Sequence, residues 1–430
     1  MGFASAWLDE RALFPELINE APDRNTGIII AVPAFDEPGI TELLDSLYQC
    51  NAPRCKTEVI IVINTPADKE VEKSKGNDDS EIKIESWKRQ HKDCFFRLFY
   101  VTADTARFSK WGVGMARKTG MDEAVRRFSN IGNPEGVIVC LDADCRVDKN
   151  YFTAIFEEFY IKKDRKACSI YFEHPLEGDD YSESVFRYIS LYELHLRYYL
   201  RAHIYAGYPD AYHTVGSSMA VRALQYVREG GMNRKQAGED FYFIQKLVGA
   251  GGYFSLTATT VFPSPRITSR VPFGTGASIG KLTSGNEPVL LSYNIKAFEE
   301  LRKLFSLTKQ LYQLNENEVA SLYGTLPEGL RSFMDADDWS ARISEISNNT
   351  SSQEAFSKRF FGWFNLFRIV KYLNHVHNGF FEKIPVEKSA SELLAIMGCN
   401  NNPKEVRELL EIYRSLEKSD GLLSFCSDAD

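Results

Sequence analysis

Short apolar runs alternate with helical patterns between residues 27 and 270. The run 27–35 (GIIIAVPAF) is apolar almost without interruption, which predicts a strand buried on both faces of a sheet. Similar runs predict three more buried strands, at 58–64, 95–102 and 136–141. Apolar residues at helical spacing predict helices over 38–48 and 114–128. The alternation predicts an α/β fold with a mostly parallel sheet, in which ligands bind at the carboxyl ends of the strands.

The pattern changes beyond residue 290, where strand-like runs disappear. Helical periodicity dominates over 293–312 and 353–374, with a loop predicted at 348–352. The second helix carries one apolar stripe, formed by Phe360, Trp363, Phe364, Phe367 and Val370. The stripe is either an internal seam between helices or a surface that docks on a membrane or a partner. Three parts are therefore predicted: an N-terminal helical extension (1–26), an α/β domain (27–285) and an α-helical C-terminal domain (286–430).

Charge and composition narrow the classes of function. The 430 residues carry 51 Lys and Arg against 59 Asp and Glu, a formal net charge of -8, which argues against a nucleic-acid-binding protein. A charged fraction of 26% and an aromatic fraction of 13% exclude a disordered chain. A few placed Arg and Lys residues would still suffice to bind a small phosphorylated ligand. The composition indicates a globular protein with a sizeable core.

Three features bear on the cellular compartment. No uninterrupted apolar stretch approaches the roughly 18 residues of a membrane span. Residues 1–19 carry too many charges for a secretory signal, and the eight cysteines form no CxxC pair. We therefore expect a reduced, cytoplasmic protein, with peripheral contact at the inner face of the membrane left open.

The segment 137–151 (VIVCLDADCRVDKNY) carries the strongest single chemical feature. Its buried strand ends in Asp142 and Asp144, two carboxylates with no basic residue between them. The two carboxylates repel each other unless a cation neutralises their charge. Mg²⁺ or Mn²⁺, held by one or two carboxylates and completed by substrate phosphate oxygens, is the usual solution. The alternative is an ordinary solvated turn.

A second acidic pair, Glu239 and Asp240, follows Gly238 and opens a helical pattern. In the structural interpretation, the two residues only complement the helix dipole, as acidic residues in the first turn of a helix commonly do. The functional interpretation makes Asp240 a general base, placed against an incoming hydroxyl. The motifs that accompany this pair favour the functional interpretation.

Six segments together resemble one enzyme family. In chain order they are 32–47 (VPAFDEPGITELLDSL), 58–66 (EVIIVINTP), 109–124 (SKWGVGMARKTGMDEA), 137–151, 216–232 (GSSMAVRALQYVREGGM) and 238–247 (GEDFYFIQKL). They resemble the bacterial members of glycosyltransferase family 2, which are nucleotide-diphospho-sugar transferases with the Rossmann-like GT-A fold. The resemblance covers residues 27–270 and implies that the predicted domain 27–285 is a GT-A catalytic domain.

The resemblance implies a role for each matching residue. Asp144 is the metal ligand, Asp142 contacts ribose or metal, and Asp240, with Glu239 beside it, is the base that deprotonates the acceptor. The residues expected near the nucleotide, the diphosphate or the sugar are Pro33, Ala34, Asp36, Glu37, Lys110, Arg117 and Gly216. Asn64 stands where the family commonly has an acidic residue that meets the base, so that contact is altered and uracil is not assumed.

Departures from the family pattern qualify this reading. The QxxRW motif of processive members is absent, which argues against a polymerising synthase. In its place the segment 264–278 carries Arg266 and Arg270, which either belong to a lid that closes over the diphosphate or lie on an ordinary surface loop. Many GT-A enzymes add a histidine as a metal ligand. His213 is the nearest candidate here, although a lone histidine is more often structural.

The sequence thus predicts a metal-dependent, non-processive, inverting glycosyltransferase of the hexosyltransferase type. Its donor would be a nucleotide-diphospho-sugar, its acceptor a saccharide or a lipid-linked hydroxyl, and its setting the synthesis of cell-surface glycan or glycolipid. A retaining glycosyltransferase and a sugar-1-phosphate nucleotidyltransferase are the alternatives. A catalytically silent scaffold is disfavoured because Asp142, Asp144 and Asp240 are all retained.

Overall fold

A computed structural model describes residues 2–64, 74–102, 108, 112–234, 238–266, 289–399, 403 and 405–426. Eight strands form one sheet in its first part: β1 (Thr26–Ala34), β2 (Lys56–Ile63), β3 (Phe96–Thr102), β4 (Val137–Cys140), β5 (Cys145–Val147), β6 (Ala167–Phe172), β7 (Met219–Arg222) and β8 (Tyr253–Pro263). Eight helices accompany them: α1 (Ser5–Arg11), α2 (Ile40–Tyr48), α3 (Ser74–Gln90), α4 (Val113–Asn130), α5 (Tyr151–Ile161), α6 (Glu183–Ala206), α7 (Ala223–Arg228) and α8 (Glu239–Gly249).

The strand order is β3-β2-β1-β4-β7-β6-β8-β5. Strands β3, β2, β1 and β4 run parallel, and so do β6 and β8, whereas β7 is antiparallel to both of its neighbours and β5 is antiparallel to β8. Every residue of β1 is buried, as its unbroken apolar run predicts. The predicted α/β domain with a mostly parallel central sheet is confirmed. The four predicted strands lie within two residues of the observed ones.

Within the described residues before β1, only α1 is helical, so most of the predicted helical extension has no regular secondary structure. This segment runs along α4 and is fixed there by buried side chains. The carboxylate of Asp122 accepts a hydrogen bond from the backbone N–H of Leu13 at 3.3 Å. Glu123 accepts from the N–H groups of Leu17 and Ile18, each at 3.3 Å.

The C-terminal region is helical, as predicted. Its helices are α9 (Ile295–Ser306), α10 (Thr308–Leu311), α11 (Glu316–Thr325), α12 (Glu328–Phe333), α13 (Ala336–Asn348), α14 (Gln353–Trp363), α15 (Leu366–Val376), α16 (Val386–Ile396) and α17 (Val406–Cys426). A two-residue antiparallel ladder joins β9 (Leu291–Ser292) to β10 (Ile384–Pro385), so this region is not purely helical. The loop expected at 348–352 does connect α13 to α14.

The helical periodicity predicted over 353–374 is confirmed, but the stretch does not form one continuous helix. It is two helices, because Asn365 caps the start of α15 by accepting a hydrogen bond from the backbone N–H of Arg368 at 3.2 Å. The predicted stripe is consequently broken. Phe360 and Phe364 are fully buried, whereas Phe367 and Val370 are only half-buried. The first two residues therefore belong to the helical core.

The chain forms two compact units. Unit 1 comprises residues 1–186, 214–278 and 417–430, and unit 2 comprises 187–213 and 279–416. The predicted boundary near residue 285 placed 187–213 in the α/β domain, whereas this stretch lies in unit 2. Its Tyr198 is fully buried and donates a hydrogen bond to the carbonyl of Tyr293 at 2.7 Å. Within the described residues, no helix is long and apolar enough to cross a membrane.

Candidate active site

The carboxyl ends of three neighbouring strands bring polar residues to one edge of the sheet in unit 1. Asn64 follows β2 and donates its backbone N–H to the carbonyl of Ala34, the last residue of β1, at 2.8 Å. On the other side of β1, the N–H of Leu141 donates to the carbonyl of Ala31 at 3.3 Å, which aligns the end of β4 with β1. Asp142 and Asp144 follow immediately. The predicted positions after β1, β2 and β4 therefore meet at one edge.

The turn after β1 has an unusual backbone. Pro33 and Ala34 are buried at the end of the strand, and Asp36 adopts a left-handed conformation with φ of 46°. Non-glycine residues adopt this conformation uncommonly, and such strain concentrates at functional sites. Glu37 is buried and accepts a hydrogen bond from Nη2 of Arg266 at 2.8 Å. Arg266, predicted from the segment after β8, thus reaches the turn after β1.

Arg117 of α4 joins the two acidic motifs. Its Nη2 donates to Oδ1 of Asp142 at 2.8 Å, and its Nη1 donates to Oε1 of Glu239. Only 4% of the Arg117 side chain is exposed, so little of it faces solvent or a ligand. Its Nε is buried and has no hydrogen-bond partner within the described residues. The guanidinium bridges two carboxylates, and its predicted contact with a diphosphate stays a prediction.

The electrostatics of this bridge follow from its burial. Burial by itself lowers the pKa of Arg117, but the nearby carboxylates of Asp142, Glu239 and Asp240 raise that pKa more, so its net direction is upward. Burial raises the pKa of Glu239, and Arg117 opposes that rise. The guanidinium therefore stays charged and stabilises the ionised carboxylates beside it.

Asp240 lies in the first turn of α8, held by two backbone donors. Its Oδ2 accepts from the N–H of Gly216 at 3.0 Å, and its Oδ1 accepts from the N–H of Phe241 at 2.7 Å. The helix begins after Gly238, whose φ of 71° suits glycine. The positive end of the helix dipole favours a carboxylate at this point. Asp240 is therefore oriented by the backbone donors of Gly216 and Phe241.

The absence of a side chain at Gly216 allows the segment after α6 to pass close to Arg117 and Asp240. A Cβ atom at this position would lie 2.6 Å from Nη1 of Arg117 and 3.0 Å from Oδ2 of Asp240. Any side chain here would push against two groups that are already fixed by hydrogen bonds. Glycine is required at this position because the backbone approaches the site closely.

Asp144 combines a half-buried position with other negative charges. Burial, together with the charges of Asp142 and Glu37, raises the pKa of its carboxyl to about 7, and Arg266 opposes that rise. A carboxylate whose ionised form is disfavoured in this way suits a divalent cation, which would supply the missing positive charge. Asp142 has one oxygen on Arg117 and remains about one-third exposed. These two residues fit the predicted Mg²⁺ or Mn²⁺ site.

The described residues contain no group of three His, Cys, Asp or Glu side chains that could hold a metal ion alone. Two carboxylates completed by substrate oxygens do not need such a group. His213 is buried, and its role as a ligand stays a prediction. Lys110 and Arg270, both predicted to lie near the diphosphate, fall outside the described residues.

The bridging role of Arg117 was missed by sequence reasoning. Its partners Asp142 and Glu239 lie 25 and 122 residues away along the chain. A signal was present, since the predicted helix over 114–128 contains six charged residues, four of which are Arg117, Lys118, Asp122 and Glu123. All four are buried, and buried charges need partners.

Comparisons with known proteins give fold-level similarities only. No protein-family model matches the chain, and no curated protein matches it. Similar solved structures include residues 1–349 of S. aureus TarS in complex with UDP-GlcNAc, at 14% identity over 75% of this chain and 91% of that one, with a TM-score of 0.39. Mannosyltransferase PcManGT from Pyrobaculum calidifontis, in complex with GDP-Man and Mn²⁺, is 17% identical over 88% of this chain and 92% of that one, with a TM-score of 0.36.

A third similar structure is glucosyl-3-phosphoglycerate synthase from Mycobacterium tuberculosis in complex with Mn²⁺ and UDP-glucose. It is 12% identical over 62% of this chain and 83% of that one, with a TM-score of 0.37. All three TM-scores lie below 0.5.

Proposed function

We propose that this chain is a metal-dependent glycosyltransferase with a GT-A domain, which moves a sugar from a nucleotide-diphospho-sugar to an acceptor hydroxyl. The observation that carries the proposal is the bridge from Arg117 to Asp142 and Glu239. It ties the acidic pair after β4 to the acidic pair that opens α8. One site then holds both the charges that a metal and a diphosphate require and a carboxylate that can accept a proton.

The donor side is assigned to Asp144, Asp142, Glu37 and Arg266. Asp144 and Asp142 would hold Mn²⁺ or Mg²⁺, which when bound supplies the positive charge that stabilises a departing nucleoside diphosphate. Arg266 pairs with Glu37 at 2.8 Å and lies close enough to Asp144 to oppose the rise of its pKa. A phosphate can compete with Glu37 for this guanidinium, which would place Arg266 on the leaving diphosphate.

Asp240 is assigned as the general base. The acceptor hydroxyl loses its proton to Asp240 while its oxygen forms a bond to the anomeric carbon. The bond between that carbon and the diphosphate oxygen breaks, and the electron pair leaves with the nucleoside diphosphate. Displacement from the opposite face inverts the anomeric configuration. The backbone donors of Gly216 and Phe241 fix the orientation of the Asp240 carboxylate.

Glu239 and Arg117 are assigned positioning roles. Glu239 is buried and paired with Arg117, so its oxygens are not presented to an acceptor. The pair instead holds the start of α8 against the end of β4, which fixes Asp240 relative to Asp142. We propose a saccharide or lipid-linked acceptor, a non-processive reaction, and a cytoplasmic enzyme of cell-surface glycan or glycolipid synthesis.

The test is turnover of a panel of UDP-, GDP- and dTDP-sugars with Mn²⁺. Asp240→Asn should lower the turnover by about 10²–10⁴-fold, the usual contribution of a general base, while donor binding measured by calorimetry is retained. Asp164→Asn, an exposed aspartate outside the site, is the matched control and should turn over normally. Equal turnover by Asp240→Asn and the wild type would refute the assignment. Formation of a nucleotide-sugar from a nucleoside triphosphate and a sugar phosphate would identify a nucleotidyltransferase instead.

A further inference from the structure

A cavity of about 870 Å³ lies in unit 1, lined by residues outside the candidate active site. Five of its lining residues are cationic: Arg11, Lys118, Arg228, Arg234 and Lys246. Two are acidic, Glu10 and Glu229, which leaves an excess of three positive charges, five minus two. Such a concentration is notable in a chain whose formal net charge is -8. We call this site the basic cavity.

Lys118 is the buried member of the basic cavity. Only 3% of its side chain is exposed, and its Nζ lies 2.8 Å from Oδ2 of Asp122 and 5.1 Å from the ring centre of Trp7. Burial lowers the pKa of Lys118, Asp122 opposes that effect, and the positive charges of Arg234 and Arg11 lower the pKa further. The arginines are therefore close enough to act on Lys118. Their fields add inside the cavity, and such a field attracts an anion.

The polar groups left without partners around the basic cavity are hydrogen-bond donors. Within the described part of the chain, neither Arg228 nor Arg234 forms an ion pair or a side-chain hydrogen bond. Nδ2 of Asn233 is buried without an acceptor, and so is Nε1 of Trp7, the ring that faces Lys118. Buried donors without acceptors are costly, and a ligand rich in acceptor oxygens would satisfy them.

The basic cavity is built on the two helices that also carry the proposed active site. Lys118 directly follows Arg117 on α4, and adjacent residues of a helix point about 100° apart. Lys246 lies seven residues after Glu239 on α8, a rise of about 10 Å along the helix axis. The two sites are therefore distinct, although residues of α4 and α8 contribute to both.

We propose that the basic cavity binds a small phosphate-bearing ligand at a site separate from the nucleotide-sugar site. Phosphate combines multiple negative charge with several acceptor oxygens, which matches both the charge excess and the unused donors. Arg228 and Arg234 form the exposed contacts, and Asn233 supplies an amide donor. The proposal of a phosphate site does not depend on the proposed glycosyl transfer.

The binding test uses inorganic phosphate and pyrophosphate with the full chain, by calorimetry in EDTA at low ionic strength. The wild type should bind one equivalent, and the double variant Arg228→Gln/Arg234→Gln should bind at least about tenfold more weakly, since hydrogen bonds to charged groups are strong. Both arginines are exposed, so the fold should persist, which thermal unfolding would check. Arg146→Gln, an exposed arginine of β5 outside the cavity, is the matched control. Absence of saturable binding, or equal binding by the double variant, would overturn the proposal.

A second measurement identifies the source of the phosphate and rests on the proposed function. Hydrolysis of the nucleotide-sugar donor without acceptor is followed with and without inorganic phosphate. A change in rate that the double variant loses identifies a free phosphorylated effector. An unchanged rate with intact phosphate binding would exclude a free phosphorylated effector and leave the phosphate group of an acceptor as the source. No turnover of any donor in the panel, with phosphate binding intact, would count against the proposed function and leave the basic cavity standing.

Discussion

The charge and the hydrogen bonding of individual residues at this site depend on their surroundings more than on their residue type. Arg117 lies on α4, yet its two terminal nitrogens donate hydrogen bonds to carboxylates from two other segments. Asp144 and Asp142 are both aspartates two residues apart, yet burial raises the pKa of Asp144 to about 7 while Asp142 is paired with a cation. The two aspartates therefore differ in their surroundings, although they lie only two residues apart.

Substitution of Arg117 tests the bridge. Arg117→Lys keeps a positive charge but offers one ammonium in place of two forked nitrogens, so Asp142 or Glu239 loses its partner. Removal of one partner from a buried ion pair costs about 3–5 kcal/mol, and we expect a loss near the lower end in the free energy of unfolding measured with urea. Arg117→Met should be more destabilising, since both carboxylates then remain uncompensated. Unchanged stability in both variants would show that the bridge is not needed for folding.

Asp144 should make metal binding depend on pH. Its pKa of about 7 means that a proton occupies the carboxyl at lower pH and competes with the cation. The affinity for Mn²⁺ should therefore rise by up to about tenfold per pH unit as the pH approaches 7, and then level off. Calorimetric titration between pH 5.5 and 8.5 measures this dependence, with Asp144→Asn as the variant that should lose binding at every pH. An affinity that does not change below pH 7 would contradict the assignment.

At the scale of secondary structure, the positions of individual strands and helices were the features best predicted from the sequence. Strand β1 is buried on both faces, so its apolar pattern alone identified it. The pairing of β7 between β4 and β6, antiparallel to both, depends on contacts across more than 50 residues and leaves no local pattern. The break at Asn365 was missed because periodicity continued across it, although asparagine is a frequent helix cap. The acidic motifs were identified, but the bridge between them was not.

The segment before β1 is hydrogen-bonded to α4, and we call it the structural clamp. It supplies backbone donors to Asp122 and Glu123, whose pKa values burial raises. Removal of residues 2–18 would leave these carboxylates without those donors on the helix that carries Arg117. We expect a loss of several kcal/mol in the free energy of unfolding, because each buried group left unsatisfied costs about 1–3 kcal/mol or more.

Combining the truncation with Asp122→Asn and Glu123→Gln separates this effect from lost packing. Neutral amides are less costly to leave without donors, so part of the lost stability should return. A truncated chain as stable as the full one in urea unfolding would show that the clamp contributes nothing.

At the scale of the whole molecule, the two compact units are interleaved in sequence. Helix α6 begins in unit 1 and contributes residues 187–206 to unit 2, among them the half-buried His195 and the buried His203. Burial lowers the pKa of His195 to about 4, with Lys383 adding to the effect. Burial also lowers the pKa of His203 to about 4, opposed by the carbonyl of Tyr199. Both imidazoles are therefore neutral at pH 7 in the folded chain.

These histidines should make unit 2 sensitive to acid. Each has a folded-state pKa near 4 and an ordinary unfolded-state pKa of about 6.5, so between these values the unfolded chain binds more protons. Their contribution to stability is complete above pH 6.5 and is lost as the pH falls toward 4. His203→Phe keeps the ring against Phe298 and Tyr199 but cannot be protonated. Compared with the wild type by urea unfolding, it should lose less stability between pH 8 and pH 5, by about 2 kcal/mol. The comparison at pH 8 isolates the packing cost of the substitution, and an identical pH dependence in both proteins would mean that His203 is not the titrating group.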